Sequence, residues 1–415
     1  MKNCIVGSGA IQKIKDFAQE FKTSHALLVG DANTFPLVGE QILKILDDQK
    51  IETASYIFQD QHLEPDERAV GSVLLQYTKD IDLLIGIGSG VINDICKLIS
   101  HCTSTKYIIV ATAPMDGYAS PLSAMLRDGL KVTIPSKCAD VIIADTGIIK
   151  NAPLRMLKAG LGEMLSKYIS LCEWKIAHII IGEPYYEEIA NNVRQAVEQC
   201  VADADKLIQR DETAVKHLFE GLITTGESMV LAGMTRPASG GEHYMSHMWD
   251  MRGVEFGTPT ILHGSQVGIT AKICVALYHR LENVVPDREK ALQYAENFDL
   301  EAWNTQLRTF LGKAAEPLIA LETKERKYDC QKHHKRLDII LDHWDEIIQI
   351  IKEDLPTNEK MEEVFQKAEL PVTLGDQPMN DAEIAMTVKA SKEMRDKYVL
   401  ARLLWDLGMI DEICK

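Results

Sequence analysis

Residues 86–97 read Gly-Ile-Gly-Ser-Gly-Val-Ile-Asn-Asp-Ile-Cys-Lys, directly after an apolar run and at the start of an amphipathic one. This arrangement predicts a β-strand that turns into an α-helix. Glycines let the backbone approach a pyrophosphate closely, and the N–H groups at a helix N-terminus favour an anion there. Position 91 is Val, so the pattern is neither Gly-x-Gly-x-x-Gly nor a Walker loop. The alternative to a pyrophosphate-binding turn is a tight strand–helix turn in which the glycines are needed only for the backbone geometry.

Short β-branched runs alternate with amphipathic segments through the first 150 residues, which is typical of βαβ units around a parallel sheet. The predicted strands are 25–30, 53–58, 82–87, 107–111, 131–134 and 141–144, and the predicted helices are 10–21, 37–49, 65–79 and 91–101. From residue 153 onward the pattern is helical. We therefore expect an α/β, Rossmann-like dinucleotide-binding domain at 1–150, followed by an all-α domain at 151–415.

The charge balance and the cysteines narrow the classes of partner. The 415 residues include 45 Lys and Arg against 61 Asp and Glu, a formal net charge of −16. Such a field repels nucleic acid and anionic lipid, whereas local cations, helix N-termini or a metal can still bind a small anion.

No apolar run approaches the roughly 18 residues of a membrane span. Nine scattered cysteines without a Cys-x-x-Cys pair indicate free thiols, and we expect a soluble, cytoplasmic protein.

A second loop, Thr-Ala-Pro-Met-Asp-Gly-Tyr-Ala-Ser-Pro at 112–121, follows the predicted strand 107–111. It would lie at the carboxyl edge of the sheet, where open α/β folds bind ligands. Asp31, at the end of the first predicted strand, is placed to bond an adenosine ribose and would repel a 2′-phosphate. An aspartate that only stabilises a turn is the other interpretation of Asp31.

Three histidines fall within 21 residues of the helical half, although the whole chain has only 12. His243 and His247 are four residues apart and therefore share one helix face, and His263 follows a break that contains Gly and Pro. Together with Glu163 from an upstream helix, they form a possible two-His-one-carboxylate metal site with open positions. For each histidine, a structural or surface role is the alternative.

These motifs together resemble the dehydroquinate synthase-like and iron-containing alcohol dehydrogenase superfamily. Within it, the sn-glycerol-1-phosphate dehydrogenase family is the most similar, over about residues 5–290. The resemblance implies reversible hydride transfer between NAD, or NADP, and dihydroxyacetone phosphate, with a divalent Zn, Ni or Fe ion in the helical domain. It implies cofactor contacts at Gly88, Ser89, Gly90, Val91, Ile92, Asn93, Asp94, Thr112, Ala113, Met115 and Ser120. It also implies that Asp116 and His247 contact substrate and that Glu163, His243 and His263 bind the metal.

The chain departs from that family at two points. Glu163 stands where the family has Asp, and the loop before Asp116 is one residue shorter than the usual form. On spacing alone, Lys167 and Arg236 are candidates for binding a substrate phosphate, and a surface charge is the alternative for each. We expect a homo-oligomer. A dehydrogenase of a non-phosphorylated polyol such as glycerol, a dehydroquinate-synthase-like cyclase that uses NAD catalytically, and a catalytically inactive nucleotide sensor are the alternatives.

Overall fold

A computed structural model describes residues 3–60, 62–127, 130–375 and 379–414, and all elements given below lie within them. The strands are β1 Cys4–Gly7, β2 His25–Asp31, β3 Glu52–Phe58, β4 Leu83–Gly88, β5 Lys106–Ala111, β6 Leu122–Arg127, β7 Leu130–Pro135 and β8 Val141–Asp145. The helices of the N-terminal part are α1 Ile14–Glu20, α2 Phe35–Asp47, α3 Glu67–Leu74, α4 Gly90–Thr103 and α5 Thr146–Ile149.

Every later element of the described chain is helical. These helices are α6 Leu154–Ile181, α7 Glu187–Ala202, α8 Ala204–Ile208, α9 Glu212–Ala232, α10 Gly241–Phe256, α11 His263–Arg280, α12 Arg288–Glu296, α13 Leu300–Leu311, α14 Ala315–Glu325, α15 Cys330–Asp342, α16 Trp344–Asp354, α17 Asn358–Lys367, α18 Asp381–Ser391, α19 Leu400–Asp406 and α20 Ile410–Ile413. Short 3₁₀ turns lie at Ala10–Lys13, Leu281–Asn283 and Gly312–Ala314. The predicted class, an α/β region followed by a helical region, is confirmed.

Six of the strands form one parallel sheet in the order β1-β8-β5-β4-β2-β3. From β2 the chain proceeds to β3 on one side, whereas from β4 it proceeds to β5 on the other. The strand order therefore reverses between β2 and β4, and open α/β sheets bind ligands at such a point, beyond the carboxyl ends of the strands. Asp31 ends β2, Gly88 ends β4, and the two strands are paired through Gly30 and Ile87.

The predicted strand at 131–134 exists, but its expected place in the parallel sheet is wrong. It belongs to β7, which pairs antiparallel with β6 in a separate two-stranded hairpin. The strands β1 and β6 were not predicted. Strand β1 has only four residues, all half-buried, so it shows neither a long apolar run nor a clear alternation.

The described chain divides into two compact units. The first unit joins Met1–Gly160 with Glu198–Gly233, and the second joins Leu161–Val197 with Met234–Lys415. These units differ from the predicted division at residue 150, because α9 packs within the first unit. On α9, the ring of Phe219 stacks on Tyr118 at 5.5 Å between centroids, and Glu212 Oε1 accepts a hydrogen bond from Thr146 Oγ1 at 2.7 Å.

Burial accounts for the helix positions around the sheet. On α2, Val38, Ile42 and Leu46 recur every four residues and are buried against the sheet core. All nine cysteines are free thiols. Among the described residues, no helix combines the length and apolar character that a membrane span would need.

Candidate functional site

The glycine-rich turn predicted from 86–97 lies at the junction of β4 and α4 in the first unit. A Cβ on Gly88 would lie 2.6 Å from Ile92 Cγ1, so only glycine fits where the helix folds back over the strand end. A Cβ on Gly90 would lie 3.4 Å from Met115 Cε. The turn thus brings the first N–H groups of α4 and the loop at 112–121 together at the carboxyl edge of the sheet.

The loop at 112–121 is fastened to this turn by hydrogen bonds. Thr112 N donates to Gly88 O at 3.2 Å, and Tyr118 Oη lies within hydrogen-bonding distance of the carbonyl oxygens of Gly88 and Ala113. Lys97 Nζ donates to Gly117 O at 3.2 Å. The sequence analysis did not single out Tyr118 or Lys97 individually, because both act from buried positions within motifs that were assigned as wholes.

The side chains of Asn93 and Asp94 also hold this arrangement together. Asn93 Oδ1 accepts a hydrogen bond from Tyr107 Oη at 3.2 Å, and Asp94 Oδ1 lies 2.9 Å from Lys97 Nζ. Burial raises the pKa of the Asp94 carboxyl, against the opposing effect of Lys97. Ser120 Oγ accepts a hydrogen bond from Leu122 N at 3.2 Å. The predicted cofactor residues therefore lie around one strand–helix junction, and several of their side chains position the loop.

Asp31 has a definite structural role at the end of β2. Its Oδ1 accepts hydrogen bonds from Asn33 N at 2.8 Å and from Thr34 N at 2.9 Å. The turn interpretation thus has direct support, while the position of Asp31 at the reversal of strand order keeps the ribose interpretation a prediction.

In the second unit, two helices approach each other at glycines. A Cβ on Gly162 of α6 would overlap the carbonyl oxygen of Gly264 on α11, and a Cβ on Gly268 would lie 2.9 Å from Gly162 Cα. The backbones can approach this closely only because these residues have no side chains. The contact places Glu163, the next residue on α6, beside His263, the first residue of α11.

The three predicted metal ligands lie together in this unit. One donor atom each from Glu163, His243 and His263 lies within 4.8 Å of the other two. His243 Nε2 is 3.2 Å from Glu163 Oε1, and His263 Nε2 is 3.9 Å from Glu163 Oε2. Glu163 and His243 are buried, whereas the side chain of His263 is 35% exposed. A cation held here would be reachable from one side.

His247 belongs to an overlapping group. Its ring stacks on His263 with centroids 5.6 Å apart, and His247, Asp250 and His263 also bring donor atoms within 4.8 Å of one another. His247 Nδ1 is 3.8 Å from Asp250 Oδ2, and Asp250 Oδ1 accepts from Gln266 Nε2 at 2.7 Å. The i, i+4 spacing thus places His247 beside the cluster, with its own carboxylate neighbour.

Other side chains orient the imidazole rings. Glu242 Oε1 is 2.8 Å from His243 Nδ1, and Ser246 Oγ is 3.4 Å from His263 Nδ1. Both rings therefore direct Nε2 toward Glu163. The sequence analysis missed Glu242, and its only signal was an acidic residue next to a predicted ligand.

Lys167 and Arg236 are not available for a substrate phosphate, so that expectation is wrong. Both side chains are fully buried. Lys167 Nζ donates hydrogen bonds to Glu163 Oε1 and to Ala238 O. Arg236 forms a bidentate ion pair with Glu183, with distances of 2.7–3.0 Å between guanidinium nitrogens and carboxylate oxygens. The spacing of residues along a helix predicts which helix face a side chain lies on, but it does not predict whether other helices pack against that face and bury it.

The buried charges stabilise one another. Burial opposes ionisation of Glu163, but Lys167 and His243 outweigh it and hold the pKa of the carboxyl well below its usual value. Burial also disfavours a charged His243, yet Glu163 and Glu242 raise the pKa of its imidazole to about 9. A cation at this position would replace the proton of His243 beside an ionised carboxylate, so the charges of the cluster suit a divalent ion.

Comparison with known proteins places the chain in a family. The family model described as iron-containing alcohol dehydrogenase matches residues 5–153. The glycerol-1-phosphate dehydrogenase (NAD(P)+) of Bacillus subtilis strain 168 is 32% identical over 305 residues, covering 71% of this chain and 77% of the relative. The chain belongs to the glycerol-1-phosphate dehydrogenase family. The relative of the same name from Halalkalibacterium halodurans is 31% identical over 277 residues, covering 66% and 69% of the two chains.

The fold of this glycerol-1-phosphate dehydrogenase family member is also that of solved structures. The crystal structure of glycerol dehydrogenase from Schizosaccharomyces pombe superposes with a TM-score of 0.63 at 17% identity, covering 99% of this chain and 89% of that one. The donor set fits the metal that the iron-containing family implies, because the Nε2 atoms of two imidazoles converge on one carboxylate. Lys167 contacts Oε1 of Glu163, so Oε2 is the carboxylate oxygen without that competition.

Proposed function

We propose that the chain is a metal-dependent glycerol-1-phosphate dehydrogenase that transfers a hydride reversibly between NAD(P)H and dihydroxyacetone phosphate. The observation that carries the proposal is the convergence of Glu163, His243 and His263 within 4.8 Å in a chain of this family. The strand–helix junction at Gly88 and the reversal of strand order beside Asp31 support a dinucleotide at the sheet edge.

In this proposal Glu163, His243 and His263 would hold a divalent Zn, Ni or Fe ion. Such an ion supplies Lewis-acid polarisation of the carbonyl at C2, and the nicotinamide supplies or accepts the hydride. His247 exchanges a proton with the substrate oxygen, since its half-buried imidazole lies against His263 and has Asp250 at 3.8 Å. Asp116, in the loop that Tyr118 and Lys97 fasten, would contact the substrate.

Several finer assignments belong to the proposal. NAD is the expected cofactor, with NADP as the alternative, because a carboxylate at Asp31 would repel a 2′-phosphate. The cofactor contacts at 88–94, 112–115 and Ser120 follow from the same junction. A homo-oligomer in the cytoplasm is expected, and nine free thiols suit a reducing compartment.

One observation favours a second candidate, a dehydrogenase of a non-phosphorylated polyol. Lys167 and Arg236, the two cations expected to bind a phosphate, are buried in pairs with Glu163 and Glu183. A polyol substrate would need no such cation. The substrate screen below separates the two candidates.

The test is NADH oxidation by the purified protein with dihydroxyacetone phosphate, dihydroxyacetone and glyceraldehyde 3-phosphate, alongside elemental analysis. The proposal expects turnover with dihydroxyacetone phosphate and about one divalent ion per chain. His263→Ala should lose both metal and activity while keeping its circular dichroism spectrum. Turnover restricted to dihydroxyacetone would favour the polyol enzyme, and phosphate release without net NADH change would favour a cyclase. Unchanged metal content in His263→Ala would overturn the ligand assignment.

A further inference from the structure

The C-terminal helices of the second unit surround a cavity of about 190 Å³ whose lining is strongly basic. Eight of its twelve lining residues are Lys or Arg, and two are acidic. The whole chain carries a formal charge of −16, so this concentration of positive charge is opposite in sign to the rest of the protein. Eleven of the lining residues lie between α14 and α19, in the region where the sequence showed only helical character, and the twelfth, Ile181, ends α6.

At the inner end of this cavity, three cations share one carboxylate. Lys392 Nζ is 3.2 Å from Glu393 Oε1, while Lys327 Nζ and Arg402 Nη2 are 3.8 and 3.9 Å from Glu393 Oε2. Glu393 is completely buried, and Trp303 Nε1 also donates to it at 3.1 Å. Glu322, a second buried carboxylate, also acts electrostatically on Lys327 and Arg402. Three cations thus face two buried carboxylates, and the remaining positive charge is costly unless an anion joins them.

Arg402 is incompletely paired at one guanidinium nitrogen, Nη2. Its side chain is only 7% exposed, and among the described residues its Nη2 has no hydrogen-bond partner. The carboxylate oxygen 3.9 Å away lies beyond hydrogen-bonding distance. Burial, reinforced by Arg402, lowers the pKa of Lys392 to about 7 although Glu393 acts in the opposite direction. The cations in this cavity thus repel one another.

Exposed cations continue the positive surface to solvent. Arg395 and Lys332 line the same cavity and are exposed, whereas Arg336 is neutralised by Asp406, with two hydrogen bonds of 2.7 Å. The cavity is therefore lined by exposed cations as well as by the buried Arg402, with Glu325 and Asp396 as its two acidic residues.

We propose that this cavity binds a small oxyanion of the phosphate class, either inorganic phosphate or a small phosphate ester. Its volume corresponds to roughly six water molecules at about 30 Å³ each, which suits a phosphate group and is too small for a nucleotide. Guanidinium and ammonium groups are the donors that bind phosphate oxygens most strongly. None of the residues that line the cavity belongs to the Glu163 cluster, and the proposal does not depend on the proposed dehydrogenase activity.

The test is calorimetric titration of the full-length protein with inorganic phosphate at constant ionic strength. The double variant Arg395→Gln/Lys332→Gln removes two exposed cations of the cavity and should weaken phosphate binding at least about 10-fold. The matched control Lys313→Gln/Lys352→Gln removes two exposed cations outside the cavity and should change the affinity less than about 2-fold. Thermal melting of each variant checks that the fold is intact.

Two outcomes overturn the proposal. If both double variants bind phosphate as the wild type does, any binding belongs to the catalytic centre or is absent from the cavity. If both are weakened equally, the effect is diffuse charge. Titration with glycerol phosphate distinguishes the source of the oxyanion: cavity-dependent binding of the ester indicates a metabolite, whereas cavity-dependent binding of inorganic phosphate alone indicates the free ion. If the wild-type protein binds phosphate in the cavity but shows no dehydrogenase activity, that result contradicts only the proposed function.

Discussion

Glu242 Oε1 lies 2.8 Å from His243 Nδ1, and this contact determines which ring nitrogen of His243 faces Glu163. Glu242 is completely buried, and the same oxygen accepts a hydrogen bond from Gly240 N at 2.9 Å. A carboxylate at Nδ1 keeps the proton of a neutral imidazole on that side and leaves the Nε2 lone pair free to bind a cation. Glu242 is therefore a positioning residue for the proposed metal site.

We predict that Glu242→Gln weakens metal binding about 10-fold, because the neutral amide holds the ring less strongly and lowers the basicity of Nε2. Competition between the protein and a chromophoric chelator for Zn²⁺ measures the dissociation constant. Glu282→Gln is the matched control, since Glu282 contacts Nδ1 of His279 away from the cluster. Equal effects of the two substitutions would contradict the positioning role.

Gly162→Ala should destabilise the protein and reduce its metal content together. The added methyl group would overlap the carbonyl oxygen of Gly264, so α6 and α11 must separate and carry Glu163 away from His263. Overpacking of this kind costs about 1–3 kcal/mol. Gly71→Ala is the control, because a Cβ there meets no atom within 4 Å. A stable Gly162→Ala protein with full metal content would show that the helix crossing does not define the site.

The sequence predicted the central strands of the parallel sheet well because these strands are buried on both faces and therefore read as continuous apolar runs. Strand β4, Leu83–Gly88, is buried along its whole length. The hairpin was misplaced because a local sequence pattern does not reveal which strand pairs with which, and β6 alternates exposed and buried residues as a strand of many kinds of sheet does. Pairing partners are set by packing between distant segments.

The histidine cluster was predictable in outline only. The i, i+4 spacing placed His243 and His247 on one face, but it gave no way to tell that His243 approaches Glu163 while His247 stacks on His263. The sequence offered Glu163 as a carboxylate from another helix, but only the resemblance matched it as a ligand together with His243, 80 positions away. Burial of Lys167 and Arg236 likewise depends on contacts with Ala238 and Glu183 that no local pattern reveals.

Asp31→Asn should shift cofactor preference toward NADPH. Asparagine keeps an oxygen for the hydrogen bonds from Asn33 N and Thr34 N, so the turn is preserved and only the charge is removed. We expect the ratio of kcat/KM for NADPH over NADH to rise about 10-fold, equivalent to about 1.4 kcal/mol. Steady-state kinetics with both cofactors measure it. Equal specificity constants in the wild type would show that Asp31 serves the turn alone.

The buried Glu173 predicts a specific pH dependence of stability. It accepts hydrogen bonds from Leu400 N at 2.8 Å and Gly241 N at 2.7 Å, yet burial and, to a lesser degree, Glu242 raise the pKa of its carboxyl to about 7. Because the folded pKa exceeds the usual value of 4.5, the stabilisation is complete below pH 4.5 and is lost as pH rises through 7.

Glu173→Gln removes that ionisation. The variant should therefore gain stability relative to the wild type between pH 5 and pH 9, by on the order of 2 kcal/mol in the free energy of unfolding. Urea titrations at pH 5, 7 and 9 measure the difference, and exposed Glu296→Gln controls for the loss of one carboxylate. A difference that stays constant with pH would contradict the prediction.

Glu163→Asp tests the departure of this chain from its family. Asp is shorter by about one C–C bond, roughly 1.5 Å, so its carboxylate would withdraw from Lys167 Nζ and from His243 Nε2, now 3.2 Å from Glu163 Oε1. Because these neighbours are arranged around the longer side chain, we expect metal affinity to fall about 10-fold. Dissociation constants of both forms must be measured at one pH, since the ligating histidines bind metal only when deprotonated. Tighter binding with faster turnover in Glu163→Asp would show instead that the site keeps the family geometry and that Glu163 is a poorer ligand within it.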